Sequence, residues 1–62
     1  MACGKKLKKL RGKRSKREIA EKLGVSFSSY VKYERNERTP SDSVKVNIAN
    51  FYKKSVQDIF FD

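Results

Sequence analysis

Residues 24–34 read GVSFSSYVKYE, placing a phenyl ring (Phe27), a hydroxyl (Ser28) and an ammonium (Lys32) along one short stretch. A hydroxyl donates or accepts a hydrogen bond, an ammonium only donates, and a phenyl ring offers apolar contact. None of these breaks a bond without a base to activate it. The chain has no histidine, no cysteine-rich metal spacing, no glycine-rich phosphate loop and no carboxylate pair placed as acid and base. Its serines have no evident general base. Recognition by contact is the chemistry left to these residues; no enzymatic activity, metal or cofactor is expected.

The elements that must hold them are helical throughout. Leu7 and Leu10, three apart among lysines, make a narrow stripe on a helix from about Lys5 to Gly12. Ser15 and Glu18 have capping-box spacing. Behind them Ile19, Ala20 and Leu23 form the apolar side of a helix over 16–23, which Gly24 ends in a left-handed conformation. Val25 points inward, and Ser26 caps a third helix from Phe27 to about Arg35. At 3.6 residues per turn Tyr30 and Tyr33 share one face, Ser28, Val31, Lys32 and Arg35 the opposite one, with Phe27 on the border. Asn36 tolerates the left-handed conformation and can end that helix. After a loop with Pro40, Ser41 or Ser43 caps a fourth helix carrying Val44, Ile48, Ala49, Phe51 and Tyr52. Ser55 and Asp58 form a second capping box opening a last turn with Val56, Ile59 and Phe60. The expectation is an all-α bundle of five short helices in a single domain, 1–62, with a helix-turn-helix at about 16–35. Ala20 would be small where the helices cross, and Ile19, Leu23, Val25, Tyr30 and Tyr33 would be their shared seam.

Charge narrows the partner. The 16 Lys and Arg against 7 Asp and Glu give a net +9. Residues 1–17 hold nine of those bases and no acid, while the remainder sums to zero. A neutral body with a basic front edge fits a polyanion, nucleic acid first. The bland alternative is a solvated face. A membrane surface is a poor fit, because Leu7 and Leu10 are too little apolar area opposite the bases. The longest apolar run, Ile59-Phe60-Phe61, spans nothing. Cys3 can be a reactive thiol or a terminal passenger, and a lone cysteine forms no internal disulfide. Without the apolar stretch of a signal peptide, a cytoplasmic location is expected.

The stretch SKREIAEKLGVSFSSYVKYERNERTPS resembles the phage-repressor (lambda-repressor-like, XRE/Cro) DNA-binding domain, whose members commonly read S-Q-x-E-[IL]-A-x-x-L-G-[VI]-S-x-x-x-[IY]-x-x-[YIL]-E-x-G-x-R-x-P-S. LKKLRGKRS before it and NIANFYKKSVQDIFF after it continue the likeness, so that it covers nearly the whole chain. Four features depart from the pattern: a short link between the first two helices with Arg14 where an apolar residue often stands, Lys16 in place of glutamine, and Asn36 and Lys53 in place of glycines.

The resemblance implies a five-helix fold whose third helix enters the major groove of double-stranded DNA, usually as a homodimer on a near-palindromic operator. Carried over by position, Phe27, Ser28 and Lys32 read bases: a ring against a thymine methyl, a hydroxyl at a base edge, an ammonium toward guanine. Lys16, Arg17, Ser29, Arg35, Asn36 and Arg38 follow the backbone. Each has a plainer alternative. Phe27 can pack back against Tyr30 or the first helix, Lys32 can contact phosphate only, and Val31 is an exposed apolar residue or a second methyl contact. Tyr30 and Tyr33 are core rather than stacking platforms. Phe60 and Phe61 are neighbours that one helix face cannot easily bury together, so one is a candidate dimer contact, the alternative being that it folds back on the first helix. The function implied is a minimal transcriptional regulator of repressor type. The rival is an antitoxin-like or other protein-interaction module on the same fold, its partner surface at the C-terminal aromatic end.

Overall fold

A computed structural model describes residues 3–61, with five helices and no strand among them: α1 Cys3–Arg11, α2 Lys16–Leu23, α3 Phe27–Glu34, α4 Asp42–Tyr52 and α5 Val56–Phe60. The starts are set by serines. Ser15, Ser26, Ser41 and Ser55 each sit in extended backbone, and each hydroxyl accepts the amide three residues on. A cap of this kind satisfies one of the amides that a helix start leaves without an internal partner, worth about 1 kcal/mol. At Ser55 the box is complete, since Asp58 Oδ2 accepts the Ser55 amide in return at 3.2 Å. Those bonds hold the Asp58 carboxyl below its ordinary range. At Ser15 only the hydroxyl half of the expected box forms, at 3.0 Å from the Glu18 amide.

Three helices stop in the same way. Gly24, Asn36 and Lys53 take positive φ (73°, 60° and 57°). The amide after each bonds back to a carbonyl five residues earlier, from Val25 to Ala20, Glu37 to Lys32 and Lys54 to Ala49, at 3.0, 2.9 and 2.9 Å. This closure uses up carbonyls that would otherwise be orphaned. Glycine adopts it freely, and Asn and Lys do so at a cost. The third helix ends at Glu34, one residue before the expected limit, with Arg35 as its cap.

Leu7, Ile19, Tyr30, Ile48, Ile59 and Phe60 are almost wholly buried, joined by Cys3, Ala20, Leu23, Tyr33 and Ala49. Every helix therefore contributes to one core, with Leu10, Val25, Val44, Phe51, Tyr52 and Val56 half-buried around it. α1 packs on α3 and α5, α2 on α3 and α4, and α4 on α5.

Two expectations are corrected. Cys3 is no terminal passenger: α1 begins there, two residues earlier than the leucine spacing implies, and the side chain joins the core. Burial pushes its thiol above the ordinary range, which favours an inert, protonated sulfur. The Phe60–Phe61 pair is also resolved. Phe60 is 1% exposed and belongs to the core, so it cannot serve as a dimer contact, whereas Phe61 is 47% exposed. The helix ends at Phe60 and Phe61 turns to extended backbone (φ −127°, ψ 137°), and Lys45 Nζ lies 5.7 Å from the centre of each ring.

Among the described residues no helix is long and apolar enough to cross a membrane.

Candidate nucleic-acid interface

α3 is two-sided. Tyr30 and Tyr33 are buried in the core, while Phe27, Ser28 and Lys32 are exposed. Ser28 and Lys32 lie nearly half a turn round the helix from Tyr30, as 100° per residue requires, and Phe27 stands at the border between the two faces. What fixes the helix is a set of contacts from α1. The Arg11 guanidinium forks the Glu34 carboxylate, Nε to Oε2 at 2.7 Å and Nη2 to Oε1 at 3.2 Å, with the side chains only 14% and 4% exposed. Bidentate pairing of this kind adds geometric specificity to charge attraction. Burial by itself would raise the Glu34 carboxyl, but the bond and charge of Arg11 outweigh it and hold it below its ordinary range. Arg11 is raised in turn, chiefly by its bond to Glu34. The Tyr30 hydroxyl, buried without a hydrogen-bond partner of good geometry, is pushed well up, first by desolvation and then by Glu34.

A second tie lies beyond the end of α3, where Asn36 Oδ1 accepts the Gly4 amide at 2.9 Å. α1 and α3 run so close there that a Cβ at Gly4 would strike the Glu34 carbonyl. The C-terminal half of α3 is thereby clamped, and the N-terminal half is presented outward.

At the presented end the polar groups are ordered among themselves. Ser26 Oγ, besides capping α3, donates to Ser29 Oγ at 2.9 Å. Arg38, brought in from the loop, donates from Nη1 to the same Ser29 oxygen at 3.3 Å. Ser29 thus has both acceptor sites engaged and its own O–H free, the arrangement suited to an incoming phosphate oxygen. The Arg17 guanidinium carbon lies 4.5 Å from the centre of the Phe27 ring. Phe27 remains 41% exposed, so it does not pack back into the core. Arg17, Lys32, Arg35 and Arg38 are exposed and form no ion pair among the described residues, and Lys16, at the first position of α2, is half-buried.

The sequence-derived site residues therefore fall into groups. Arg17 and Phe27 meet where α2 and α3 begin, Ser28 follows in the first turn of α3, and Ser29 and Arg38 are joined by their hydrogen bond. Lys32 lies further along the same exposed side of α3. Arg35 and Asn36 stand at its far end, and the Asn36 carbonyl oxygen is already committed to Gly4. Sequence reading assigned no role to Glu34 or Arg11, which position the helix; the one available signal was the glutamate that recurs in the family pattern at the place of Glu34. Arg14, unexpected at an apolar position, has its guanidinium 5.8 and 5.7 Å from the Phe51 and Tyr52 ring centres, and it donates to the Leu10 and Arg11 carbonyls at 3.0 and 3.2 Å. It caps the end of α1 and covers the half-buried aromatic pair that an apolar side chain would otherwise cover.

A family model described as helix-turn-helix matches residues 5–59. No curated protein and no solved structure matches the chain.

Proposed function

The chain belongs to the lambda-repressor-like helix-turn-helix family and is a DNA-binding regulator, and from that premise we propose a sequence-specific repressor that inserts α3 into the major groove as a homodimer on a near-palindromic operator. The observation that carries this reading is the two-sidedness of α3: Phe27, Ser28 and Lys32 exposed on one side, Tyr30 and Tyr33 buried on the other. In the groove Phe27 meets a thymine methyl, Ser28 a base edge and Lys32 guanine O6 or N7. Lys16, Ser29, Arg35 and Arg38 sit along the phosphates on either side, and the +9 charge draws the duplex in.

Residues 1–62 act as one DNA-binding domain, with its helix-turn-helix at about 16–35. Two copies meet through Phe61, whose ring is the exposed aromatic surface next to α5. Repression follows from occlusion, because a dimer seated on two half-sites covers the intervening DNA. The exposed Phe27 favours this over a role confined to protein partners, for which a buried ring at the helix tip would serve as well.

The test is footprinting on DNA upstream of the protein's own gene across a salt series. Two protected half-sites about 10 bp apart are expected. With roughly four phosphates neutralised per subunit, log K should fall against log salt with a slope near about −7. Salt-sensitive binding without a protected site would reduce the protein to a nonspecific basic surface and overturn the reading.

A further inference from the structure

Arg17 belongs to the N-terminal block of bases, and by position in its family it would follow the phosphate backbone. Its placement here is particular. The guanidinium lies over the Phe27 ring, 4.5 Å from the centroid, and makes no hydrogen bond or ion pair among the described residues. Cation–π attraction holds the guanidinium over the ring while its N–H donors stay without a hydrogen-bond partner among the described residues. Phe27 is the first residue of α3, and its uncovered surface is 41% of the ring residue. Successive base pairs are about 3.4 Å apart, so with Phe27 at the edge of one base a guanidinium 4.5 Å from its ring centre is within reach of the next pair. In the major groove the acceptor pair matching a rigid fork of donors is guanine O6 and N7.

We infer that Arg17 and Phe27 read as one unit: Phe27 takes a thymine methyl, and Arg17, held on the ring, takes the O6/N7 edge of a guanine in the adjacent base pair. This rests on the major-groove reading above and adds the base step that α3 selects at its tip. Lysine at position 17 would keep the charge and can still donate to guanine, but it lacks the fork that spans O6 and N7, so the preference for that guanine should be weaker with lysine and lost with alanine. The phenyl ring contributes twice, through the methyl contact and by aiming Arg17.

The test is selection of bound duplexes from a randomised library by the wild-type chain, by Arg17→Ala and by Arg17→Lys, followed by affinity measurements on the selected site. The wild type should enrich half-sites with a T·A pair beside a G·C pair. On that site, replacing the thymine by uracil, which removes only the methyl, should weaken binding a few-fold. Replacing the adjacent guanine by 7-deazaguanine should weaken it by at least about fivefold. Arg17→Ala should lose preference at the guanine alone, become indifferent to 7-deazaguanine and keep the wild-type salt slope, while Arg17→Lys should keep only part of that preference. If Arg17→Ala keeps the guanine preference, or weakens all sequences alike and lowers the salt slope by about one, Arg17 is a phosphate contact and the inference is overturned. Enriched half-sites without this step overturn the inference while sparing the repressor reading. Enrichment of no sequence overturns both.

Discussion

Asn36, just past the end of α3, accepts the Gly4 amide of α1 through Oδ1 at 2.9 Å, across 32 positions of chain. That amide is one of the first-turn groups a helix cannot satisfy from within, so Asn36 acts as a cap supplied by a distant residue. It also sits at φ 60°, where most side chains are strained. Asn36→Ala should lose the cap and keep the strain, destabilising by about 2 kcal/mol in urea unfolding. Asn36→Asp keeps the acceptor and should cost much less. Gly4→Ala, which drives a methyl into the Glu34 carbonyl, should cost about 1–3 kcal/mol or more.

Lys53 closes α4 as Asn36 closes α3, at φ 57°, but among the described residues no hydrogen bond from its side chain offsets the strain. Lys53→Gly should therefore stabilise the protein by about 0.5–1 kcal/mol, the strain relieved less the extra freedom of glycine in the unfolded chain. Asn36→Gly should have the opposite sign, because the Gly4 amide loses its acceptor. A shared sign in thermal unfolding would show that Asn36 contributes only as a left-handed residue.

The Arg11–Glu34 pair makes stability depend on acid. Glu34 titrates lower in the folded chain than in the unfolded one. Its contribution is thus fully present above the unfolded value, near about 4.3, and is lost as pH falls through the depressed folded value. Between pH 5 and pH 2 the wild type should lose more stability than Glu34→Gln. Arg11→Ala strands a nearly buried carboxylate, and a loss on the order of 3–5 kcal/mol is expected at pH 7. Parallel acid-denaturation curves for wild type and Glu34→Gln would contradict this.

Phe60 and Phe61 are adjacent in sequence and opposite in consequence. Phe60→Ala should cost about 3–5 kcal/mol by emptying a core site. Phe61→Ser should leave the melting temperature within a few degrees yet reduce cooperative occupancy of paired half-sites, as read by sedimentation and footprinting. Unchanged association would remove Phe61 from the dimer contact.

On the DNA side, Lys32→Ala should relax preference at one base position at a cost of about 1–3 kcal/mol. Arg35→Ala should weaken binding evenly across sequences and lower the salt slope by about one. Gel-shift titrations on matched and mismatched duplexes at two or more salt concentrations separate the two behaviours.

The helices were legible in the sequence because what starts and stops them is local. A serine accepting an amide three residues on, a glycine or asparagine in the left-handed region, and apolar residues at helical spacing all act within one or two turns. Ser15, Ser26, Ser55 and Gly24 were found on those grounds alone, as were the buried and exposed faces of α3; for α4 they left Ser41 and Ser43 open, and the fold chose Ser41. Which residues meet across helices left no such trace. Arg11 read as one base among nine, yet Glu34 claims it; Arg14 read as misplaced, yet it covers Phe51 and Tyr52. Cys3 read as a reactive thiol or a terminal passenger until α1 placed it in the core, and Phe60 and Phe61 were indistinguishable until the chain turned between them. Arg17 acquired a partner only when α2 and α3 brought it over Phe27. A local pattern states what a residue can offer; the packing of helices far apart in sequence decides what it is offered to, because that depends on distances no short stretch of chain contains.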